Sequence, residues 1–251
     1  MQSLFKNCCS ALIGKMEPAV YDHQSQGAII IPDEKIQMND EIKPIYPTAY
    51  DGHFESLLIT HSQIVCRTKQ IAESISQTYY KNEIVEPIVL ICILKGSSPF
   101  YNLLLNELSL ISIPYIMEFV RVKSYVGNES SGNVKMYHVD MPSSIRGRHV
   151  IVVEDIVDTG MTLSAIMPKF EQCQPKSIVV CSLLVKRLVH DDRNGNQKPV
   201  EEKVVPKYVG FSIPDKFVVG FGLDYNEMYR DLRDIWIISQ KGIELGGYRD
   251  S

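Results

Sequence analysis

Several features that would point to a membrane, an oxidising compartment or a nucleic-acid partner are missing from this sequence of 251 residues. No apolar run approaches the roughly 20 residues that a membrane-spanning helix needs, and residues 1–16 lack the sustained apolar core of a secretory signal. The six cysteines show no CxxC spacing, and Cys92 and Cys181 lie inside apolar runs. The formal net charge is −4, whereas a nucleic-acid partner favours a basic face. The sequence therefore predicts a cytoplasmic protein with buried thiols and with neither a membrane nor a nucleic-acid partner.

The chain is long enough to bury a full core, and its composition is that of a globular protein. Hydrophobic residues make up 45% of the sequence and charged residues 22%. Residues 1–27 show weak periodicity and predict a loose extension, whereas residues 28–251 are predicted to form one domain.

Short apolar runs alternate with segments of helical periodicity along the chain. Helical patterns span residues 64–79, 99–108 and 162–173, and Pro168 should bend the last of them. Predicted strands cover residues 29–32, 88–94, 115–122, 149–153, 177–185, 207–211, 217–221 and 234–239. Residues 126–135 are rich in glycine, asparagine and serine and predict a mobile loop. The alternation indicates βαβ units and a mostly parallel sheet, in which ligands bind at the carboxyl ends of the strands.

The most informative segment covers residues 150–163. A β-branched run ends in three carboxylates, Glu154, Asp155 and Asp158, and a small-residue turn then leads into a helical pattern. We call residues 158–162 the anion cradle; its turn consists of Thr159, Gly160, Met161 and Thr162. Backbone N–H groups at the start of a helix favour anions, and adjacent carboxylates suit Mg²⁺ or ribose hydroxyls. The pattern favours a phosphorylated sugar with a metal ion, although Thr159 or Thr162 could also serve as an ordinary helix cap.

Residues 150–163 resemble the phosphoribosyl-pyrophosphate signature of the type I phosphoribosyltransferases. Further segments match the hypoxanthine-guanine branch of that family in order and spacing, from about residue 28 to about residue 240: residues 94–96, 123–125, 182–187, 214–220, 223–227 and 230–232. Single motifs of this length arise by chance, but this many in register are highly specific. The resemblance implies an α/β fold with a mostly parallel twisted sheet flanked by helices. It also implies a small hood, formed by parts of the N-terminal segment and by the C-terminal region from about residue 207.

The resemblance implies an activity as well, that of a glycosyltransferase in purine salvage. In the family, N9 of hypoxanthine or guanine displaces pyrophosphate from C1′ of phosphoribosyl pyrophosphate, giving IMP or GMP, with Mg²⁺ as the cofactor. The transition state is similar to an oxocarbenium ion, so positioning and preorganised electrostatics are expected to dominate catalysis. Members of the family form homodimers and homotetramers, and a homo-oligomer is expected here by analogy.

The resemblance assigns the sugar and its phosphate to the segment around the cradle. Main-chain amides and the hydroxyls of Thr159 and Thr162 are implied to bind the 5′-phosphate, with Met161 at a position where several relatives carry lysine. Glu154 and Asp155 are implied to bind the ribose hydroxyls, directly or through Mg²⁺, although an acidic strand end is often simply solvated.

Four residues are implied to act on the purine. Asp158 resembles the general base at N7, although a structural turn aspartate is the alternative. Lys186 is similar to the lysine that donates to O6, Phe217 to an aromatic residue that stacks on the ring, and Val218 to a residue whose main chain reads the base edge. For a lone lysine, surface charge is the commoner role, and an aromatic residue in a strand more often belongs to the core. Adenine presents a donor in place of O6, so Lys186 predicts discrimination of roughly 10⁴ against it.

The resemblance places pyrophosphate against the main chain of Lys95 and Gly96, next to a cis Leu94–Lys95 peptide bond. Asp224 is expected to hold a second Mg²⁺ on this group, and Arg230 to neutralise it. The alternative for Arg230 is a surface ion pair, with Asp231 or Asp234.

Ser124 and Tyr125 resemble the start of a lid that closes over the reacting centre, although a surface hairpin tip is the alternative. His190 stands where relatives often place an arginine, which predicts weaker pyrophosphate binding.

Two other functions compete with this interpretation. A non-enzymatic nucleotide sensor of the same fold would regulate nucleic acid, but the catalytic segments are present here and the net charge is acidic. A relative specific for adenine or xanthine is the second alternative. Lys186 and Phe217 favour a 6-oxopurine, while the sequence leaves acceptance of xanthine open.

Overall fold

The computed structural model describes residues 27–33, 45–80, 86–129, 132–138, 141–191, 197–199 and 204–246. These ranges contain four α-helices: α1 (His61–Tyr79), α2 (Ser98–Leu110), α3 (Met161–Gln172) and α4 (Gln240–Leu245). They also contain two short 3₁₀-helices, Thr48–Tyr50 and Ser143–Ile145. None of the helices in the described ranges combines the length and the apolarity that crossing a bilayer requires.

A six-stranded sheet forms the centre of the described structure, and neighbouring strands pair in parallel throughout. In order across the sheet, with numbers that follow the chain, the strands are β1 (Ile29–Ile30), β11 (Tyr208–Pro214), β8 (Ser177–Arg187), β7 (His149–Val157), β3 (Ile88–Leu94) and β4 (Tyr115–Arg121). The predicted mostly parallel sheet flanked by helices is confirmed.

Helices cover both faces of this sheet, as the alternation of side chains along β3 shows. Leu90 and Cys92 belong to one apolar cluster with residues of α1 and α2. Val89 and Ile91 belong to another with residues of α3. A strand that is buried on both faces reads as a continuous apolar run, which is why β3 is predicted at its observed bounds. The expected burial of Cys92 and Cys181 is confirmed, and desolvation raises the pKa of the Cys92 thiol to about 11.

The helical periodicity of residues 64–79 is confirmed in α1. Thr60 is the N-cap, and it forms a capping box in which the Gln63 N–H donates to Oγ1 of Thr60 and the Thr60 N–H donates to Oε1 of Gln63. One face of the helix is buried, consisting of Ile64, Thr68, Ile71, Ala72 and Ile75. Pro168 lies inside α3, as expected.

A second sheet has three antiparallel strands. They are β12 (Val218–Val219), β13 (Ile235–Ile238) and β2 (Phe54–Ile59), in that order. Tyr229 and Trp236 belong to a separate apolar cluster that serves this sheet. The sheet draws on the N-terminal and C-terminal segments from which a hood is predicted, although residues 208–214 belong to the main sheet. The domain limits, 1–27 and 28–251, stay predictions, and residues 1–26 lie outside the described ranges.

Residues 126–129 and 132–135 are strands rather than parts of the irregular loop that the composition of residues 126–135 predicts. β5 (Lys123–Glu129) and β6 (Gly132–His138) pair antiparallel, from Lys123 opposite His138 to Glu129 opposite Gly132. The described residues pair across the two strands despite their glycine and asparagine content, because pairing depends on tertiary context as well as on propensity. A shorter antiparallel pair, β9 (Val189–Asp191) with β10 (Gln197–Pro199), follows β8.

β7 is longer than the predicted strand, and the difference changes the setting of the acidic residues. The strand continues beyond Val153 to Val157, with Glu154 opposite Ser182 and Val157 opposite Val185 in the ladder with β8. Partner strand β8, which itself runs past residue 185, holds this part of the backbone extended. Glu154 and Asp155 therefore lie within β7 rather than beyond its end.

Candidate active site

All six strands of the main sheet run parallel, so their carboxyl ends lie at one edge. β3 ends at Leu94, β7 at Val157, β8 at Arg187 and β11 at Pro214. Ligands of such sheets bind outside this edge. The segments found there are residues 95–96, the anion cradle (158–162), Lys186 and Asp215.

The anion cradle is a turn at the start of α3, with one residue in the left-handed region. Gly160 has φ 67° and is the N-cap of the helix, which makes no side-chain cap hydrogen bond. Neither Thr159 nor Thr162 therefore acts as the helix cap, and both are exposed, as is Met161. The positive φ favours glycine at position 160. The N–H groups of the first helical turn lie at the positive end of the helix dipole, which suits an anion.

Two carboxyl groups lie side by side within β7. The carboxyl groups of Glu154 and Asp155 are close enough for each to influence the pKa of the other, and the Ile156 N–H donates to Oδ1 of Asp155 over 2.8 Å. Burial raises the pKa of Glu154 well above its ordinary value, and the charge of Asp155 raises it further. Burial also raises the pKa of Asp155, while the Ile156 N–H and Arg230 act in the opposite direction. We call Glu154 and Asp155 the acidic pair.

One oxygen of the acidic pair has no protein partner. Within the described residues, Oε2 of Glu154 is buried without a hydrogen-bond donor. A buried carboxylate oxygen beside a second carboxyl group is costly unless a cation or a hydroxyl donor satisfies it. The acidic pair therefore suits a divalent ion or the hydroxyl groups of a sugar.

Gly96 brings the turn after β3 against the acidic pair. A methyl group on Gly96 would overlap Oδ2 of Asp155 and would lie 3.6 Å from Nη1 of Arg230. A methyl group on Gly222 would in turn overlap the carbonyl oxygen of Gly96. The peptide bond between Leu94 and Lys95 is cis, as the resemblance implies. The close approach of these backbone segments leaves no room for a side chain at either glycine.

Replacing Gly96 with alanine should lower the free energy of unfolding by about 1–3 kcal/mol, the usual cost of overpacking. The added methyl group meets the carboxylate of Asp155, which the Ile156 N–H holds in place. In an Asp155→Ala background the same substitution should be much less destabilising, because the two changes are coupled through one contact. Urea denaturation of the four proteins in this cycle measures the coupling. An equal loss in both backgrounds would show that the contact with Asp155 is not the cause.

Lys186 is held between two carboxylates. Its Nζ donates to Oδ2 of Asp158 over 3.1 Å and lies 3.4 Å from Oδ1 of Asp215. Only 11% of the Lys186 side chain is exposed, against 50% for Asp158 and 54% for Asp215. Ordinary surface charge therefore does not describe Lys186. Its ammonium group is a fixed donor next to the first residue of the anion cradle.

Arg230 and Lys95 form ion pairs with neighbouring carboxylates, one of which contacts both cations. Nη2 of Arg230 lies 2.8 Å from Oδ1 of Asp224 and 3.3 Å from Oε1 of Glu227. The other oxygen of Glu227, Oε2, lies 2.8 Å from Nζ of Lys95. Nη1 of Arg230 donates to the carbonyl oxygen of Gly222 over 2.8 Å. Two cations thus lie on either side of one exposed carboxylate, close to the acidic pair.

Asp231 and Asp234, which follow Arg230 in the sequence, have other hydrogen-bond partners. Asp231 accepts a hydrogen bond from the hydroxyl of Tyr50, and Asp234 accepts one from the N–H of His61. The alternative of an ion pair between Arg230 and one of these residues is therefore not what the structure shows.

Phe217 lies outside the core. Its side chain is 47% exposed, and its ring meets that of Tyr225 edge-on, with centroids 5.4 Å apart. Val218 follows as a buried residue of β12, opposite Ile237 of β13. An aromatic residue that keeps half its surface open beside a fixed strand is suited to stacking on a planar ligand.

Two of the sequence predictions concern side chains outside the described part of the structure. The structure describes the backbone of Ser124 and Tyr125 in β5 and of His190 in β9, but their side chains lie outside the described part. The lid and the weaker pyrophosphate binding therefore stay predictions.

Three residues at the site were not predicted from the sequence: Asp215, Gly222 and Glu227. Asp215 directly follows β11 at the carboxyl edge, so its position after the strand was the available signal. Glu227 lies three residues from both Asp224 and Arg230, but its contact with Lys95 spans 132 residues and leaves no local pattern.

A metal ion at this site would need ligands from outside the protein. In the described part of the chain, no three His, Cys, Asp or Glu side chains gather closely enough to hold one. Mg²⁺ commonly takes one or two carboxylates and completes its shell with water and substrate phosphates. The acidic pair, with its unpartnered oxygen, fits such a shared site.

Known proteins share this sequence pattern. Residues 58–226 match the phosphoribosyl transferase domain, and this region contains the acidic pair, the anion cradle and Lys186. The hypoxanthine-guanine phosphoribosyltransferase of Homo sapiens is 36% identical over 225 residues, covering 87% of this chain and 96% of the human protein. The protein of the same name from Mus musculus is 37% identical over 202 residues, covering 78% of this chain and 86% of its own length.

Solved structures are similar as well. Hypoxanthine-guanine phosphoribosyltransferase from Schistosoma mansoni, in complex with IMP, has a TM-score of 0.66 and 28% identity, covering 86% of this chain and 97% of its own. Hypoxanthine phosphoribosyltransferase from Trypanosoma cruzi, in complex with the product IMP, has a TM-score of 0.62 and 37% identity, covering 76% of this chain and 97% of its own.

Proposed function

The chain belongs to the hypoxanthine-guanine phosphoribosyltransferases, and from this premise we propose that it acts in purine salvage. It transfers the 5-phosphoribosyl group of phosphoribosyl pyrophosphate to N9 of hypoxanthine or guanine, giving IMP or GMP and pyrophosphate. The observation that carries the proposal is the acidic pair of β7, which leads into the anion cradle at the carboxyl edge of the sheet, within the region that matches the family.

The anion cradle is proposed to hold the 5′-phosphate. The N–H groups of the first turn of α3 and the exposed hydroxyls of Thr159 and Thr162 supply donors at the positive end of the helix. Glu154 and Asp155 accept from the ribose hydroxyls, and the unpartnered Oε2 of Glu154 is an acceptor ready for that role. Together these groups fix the sugar with C1′ directed away from the cradle, so much of the catalytic effect is positional.

Magnesium is the proposed cofactor. The acidic pair would share one ion with the ribose, and Asp224 would share a second ion with the pyrophosphate; when bound, the ions would supply positive charge to these substrate oxygens. The residues fit the ion because each offers carboxylate oxygen, the ligand type that Mg²⁺ prefers.

The leaving pyrophosphate is proposed to lie against Lys95, Gly96 and Arg230. Gly96 has no side chain between its backbone and the acidic pair. The guanidinium of Arg230, anchored on the Gly222 carbonyl oxygen, directs donors toward the same region. These groups stabilise negative charge as it develops on the departing pyrophosphate.

The purine is proposed to stack on Phe217, with its edge against the main chain of Val218 and its O6 against Lys186. Asp158, which already accepts from Lys186, is placed to take up charge at N7 as N9 attacks C1′. Ser124 and Tyr125 would close the site against water.

The direct test is to give the purified full chain phosphoribosyl pyrophosphate and Mg²⁺ with one purine at a time and to identify the nucleotide by chromatography. Hypoxanthine should give IMP and guanine GMP. Xanthine in the same series shows whether the enzyme accepts a purine with an oxygen at the 2-position. A product from adenine alone, or no nucleotide from hypoxanthine and guanine, would contradict the proposal.

Phosphoribosyl pyrophosphate with Mg²⁺ should stabilise the protein through the acidic pair. At one hundred times the dissociation constant the expected gain is about 2.7 kcal/mol, visible as a rise in melting temperature. A Glu154→Gln/Asp155→Asn double variant should lose most of this gain. Glu171→Gln, an exposed position near the far end of α3, is the control and should keep it. An unchanged shift in the double variant would remove the acidic pair from substrate binding.

We also propose that the enzyme is cytoplasmic and forms a homo-oligomer. The Trypanosoma cruzi relative supports the second point, since a solved structure of that enzyme concerns the role of its C-terminal region in oligomeric state and enzymatic activity.

A further inference from the structure

The carboxylate of Glu227 occupies the position between two cations. Its Oε2 lies 2.8 Å from Nζ of Lys95, and its Oε1 lies 3.3 Å from Nη2 of Arg230. Each oxygen of the carboxylate therefore contacts one of the two cations. Lys95 and Arg230 come from separate segments of the chain, and Glu227 is a bridge between them.

The backbone around Glu227 directs this side chain toward the cations. Asn226 and Glu227 have φ values of 50° and 66°, both in the left-handed region. The Glu227 N–H donates to Oδ2 of Asp224 over 2.8 Å, and the turn is closed by two hydrogen bonds between the backbones of Tyr225 and Met228. The turn therefore fixes the backbone from which the Glu227 side chain, 62% exposed, reaches the two cations.

The carboxylate is charged and its ion pairs are open to exchange. Hydrogen bonds from Lys95, and then from Arg230, lower the pKa of Glu227. Half of the Lys95 side chain is exposed as well, at 54%. Exposed ion pairs of this kind are weak. A multiply charged ligand that reaches the same two cations can therefore replace the single carboxylate.

We propose that Glu227 is an internal counter-anion of the pyrophosphate site. When the site is empty it pairs with Lys95 and shares Arg230 with Asp224; it is displaced by the pyrophosphate group of the substrate and returns as pyrophosphate departs. The inference rests on the proposed function, which assigns these two cations to pyrophosphate. Glu227 thereby weakens the binding of both phosphoribosyl pyrophosphate and pyrophosphate and favours release of the product.

Glu227→Gln tests the proposal, because the amide keeps the size of the side chain and removes its charge. Calorimetric titration of the full-length variant with pyrophosphate, and separately with phosphoribosyl pyrophosphate, both with saturating Mg²⁺, should show binding about twofold to tenfold tighter than in the wild type. Affinity for IMP should not change, since IMP carries no pyrophosphate group. A role limited to folding would alter all three affinities together.

Two further variants sharpen the test. Glu227→Ala removes the acceptors altogether and should tighten pyrophosphate binding in the same direction. Glu244→Gln neutralises an exposed carboxylate of α4 that accepts a hydrogen bond from Gln240, and it should leave pyrophosphate affinity unchanged.

The outcomes separate this inference from the proposed function. Suppose that the wild-type protein makes IMP and that Glu227→Gln binds pyrophosphate no more tightly than the wild type does. This result leaves the proposed function intact and overturns the counter-anion role of Glu227. Tightening of IMP to the same extent as pyrophosphate overturns it as well. Wild-type protein that makes neither IMP nor GMP overturns the proposed function and this inference with it.

Discussion

Asp158→Asn should lower kcat by about 10²–10⁴, the range that a positioned general base contributes. IMP should still bind with nearly unchanged affinity. The expected separation arises because the substitution removes a group that can take up a proton but leaves the main chain of the anion cradle intact. A structural turn aspartate, the alternative reading of this residue, would instead lose binding and stability together.

The contacts of Asp158 support this expectation. Its Oδ2 accepts from Nζ of Lys186 over 3.1 Å, and asparagine retains an oxygen that can accept the same bond. Half of the Asp158 side chain is exposed at the edge of the sheet, so the site faces the space into which the purine would enter. The amide of asparagine cannot stabilise positive charge at N7, so the variant loses this contribution to transition-state stabilisation.

Steady-state kinetics and equilibrium binding of IMP measure the two effects separately. Asp215→Asn is a matched comparison, because Asp215 is the second carboxylate beside Lys186, at 3.4 Å, and has no assigned proton role. It should reduce kcat far less than Asp158→Asn. Equal losses in the two variants, or unchanged turnover in Asp158→Asn, would remove the base assignment.

Discrimination against adenine is the second large effect. The ratio of kcat/KM for hypoxanthine over adenine should reach roughly 10⁴ in the wild type, because a site built around one hydrogen bond rejects the analogue that cannot make it. In Lys186→Met the ratio should fall by at least about two orders of magnitude, mainly through the loss of hypoxanthine turnover.

The setting of Lys186 explains the size of this expectation. Its side chain is 11% exposed, and two aspartates hold its ammonium group, which has donors only. Adenine would bring an amino group against these donors, and the ammonium group has little freedom to move aside. Methionine has a similar length and no donor, so the variant removes the distinction between O6 and an amino group.

Parallel assays with hypoxanthine, guanine and adenine give the ratios. Lys241→Met, which removes a lysine that donates to the Asp51 carbonyl oxygen away from the site, should leave the hypoxanthine–adenine ratio as it is. A wild-type enzyme that uses adenine as readily as hypoxanthine would contradict the role of Lys186 in selecting the base.

The sequence predicts those elements whose pattern is contained in a short stretch. β3 is an uninterrupted apolar run and α1 repeats its apolar residues with helical spacing, and both are confirmed. The loop predicted for residues 126–135 was wrong for residues 126–129 and 132–135, because glycine and asparagine signal a loop locally, whereas pairing as β5 and β6 depends on a partner strand. β7 was predicted too short for a related reason, since β8 extends it through the charged residues.

Some residues of the site can likewise be predicted from a short stretch of sequence, and others cannot. Glu154, Asp155 and the anion cradle are neighbours in sequence, so their chemistry is visible as one motif. The contact of Lys186 with Asp215 joins two separate strand ends, and that of Lys95 with Glu227 spans 132 residues. Such contacts follow from the folding of distant segments onto one edge, and no local spacing reveals them.

The strands also distribute the two halves of the substrate over different parts of the molecule. The groups proposed for the activated sugar come from β7 and from the turn after β3, whereas Lys186 belongs to β8 and Phe217 and Val218 to the entry of β12. Substitutions in β8 and around β12 should therefore be able to change the preferred nucleobase without altering the groups proposed for the sugar. The contact between Lys186 and Asp158 crosses this division, so a substitution of Lys186 should also alter the surroundings of Asp158.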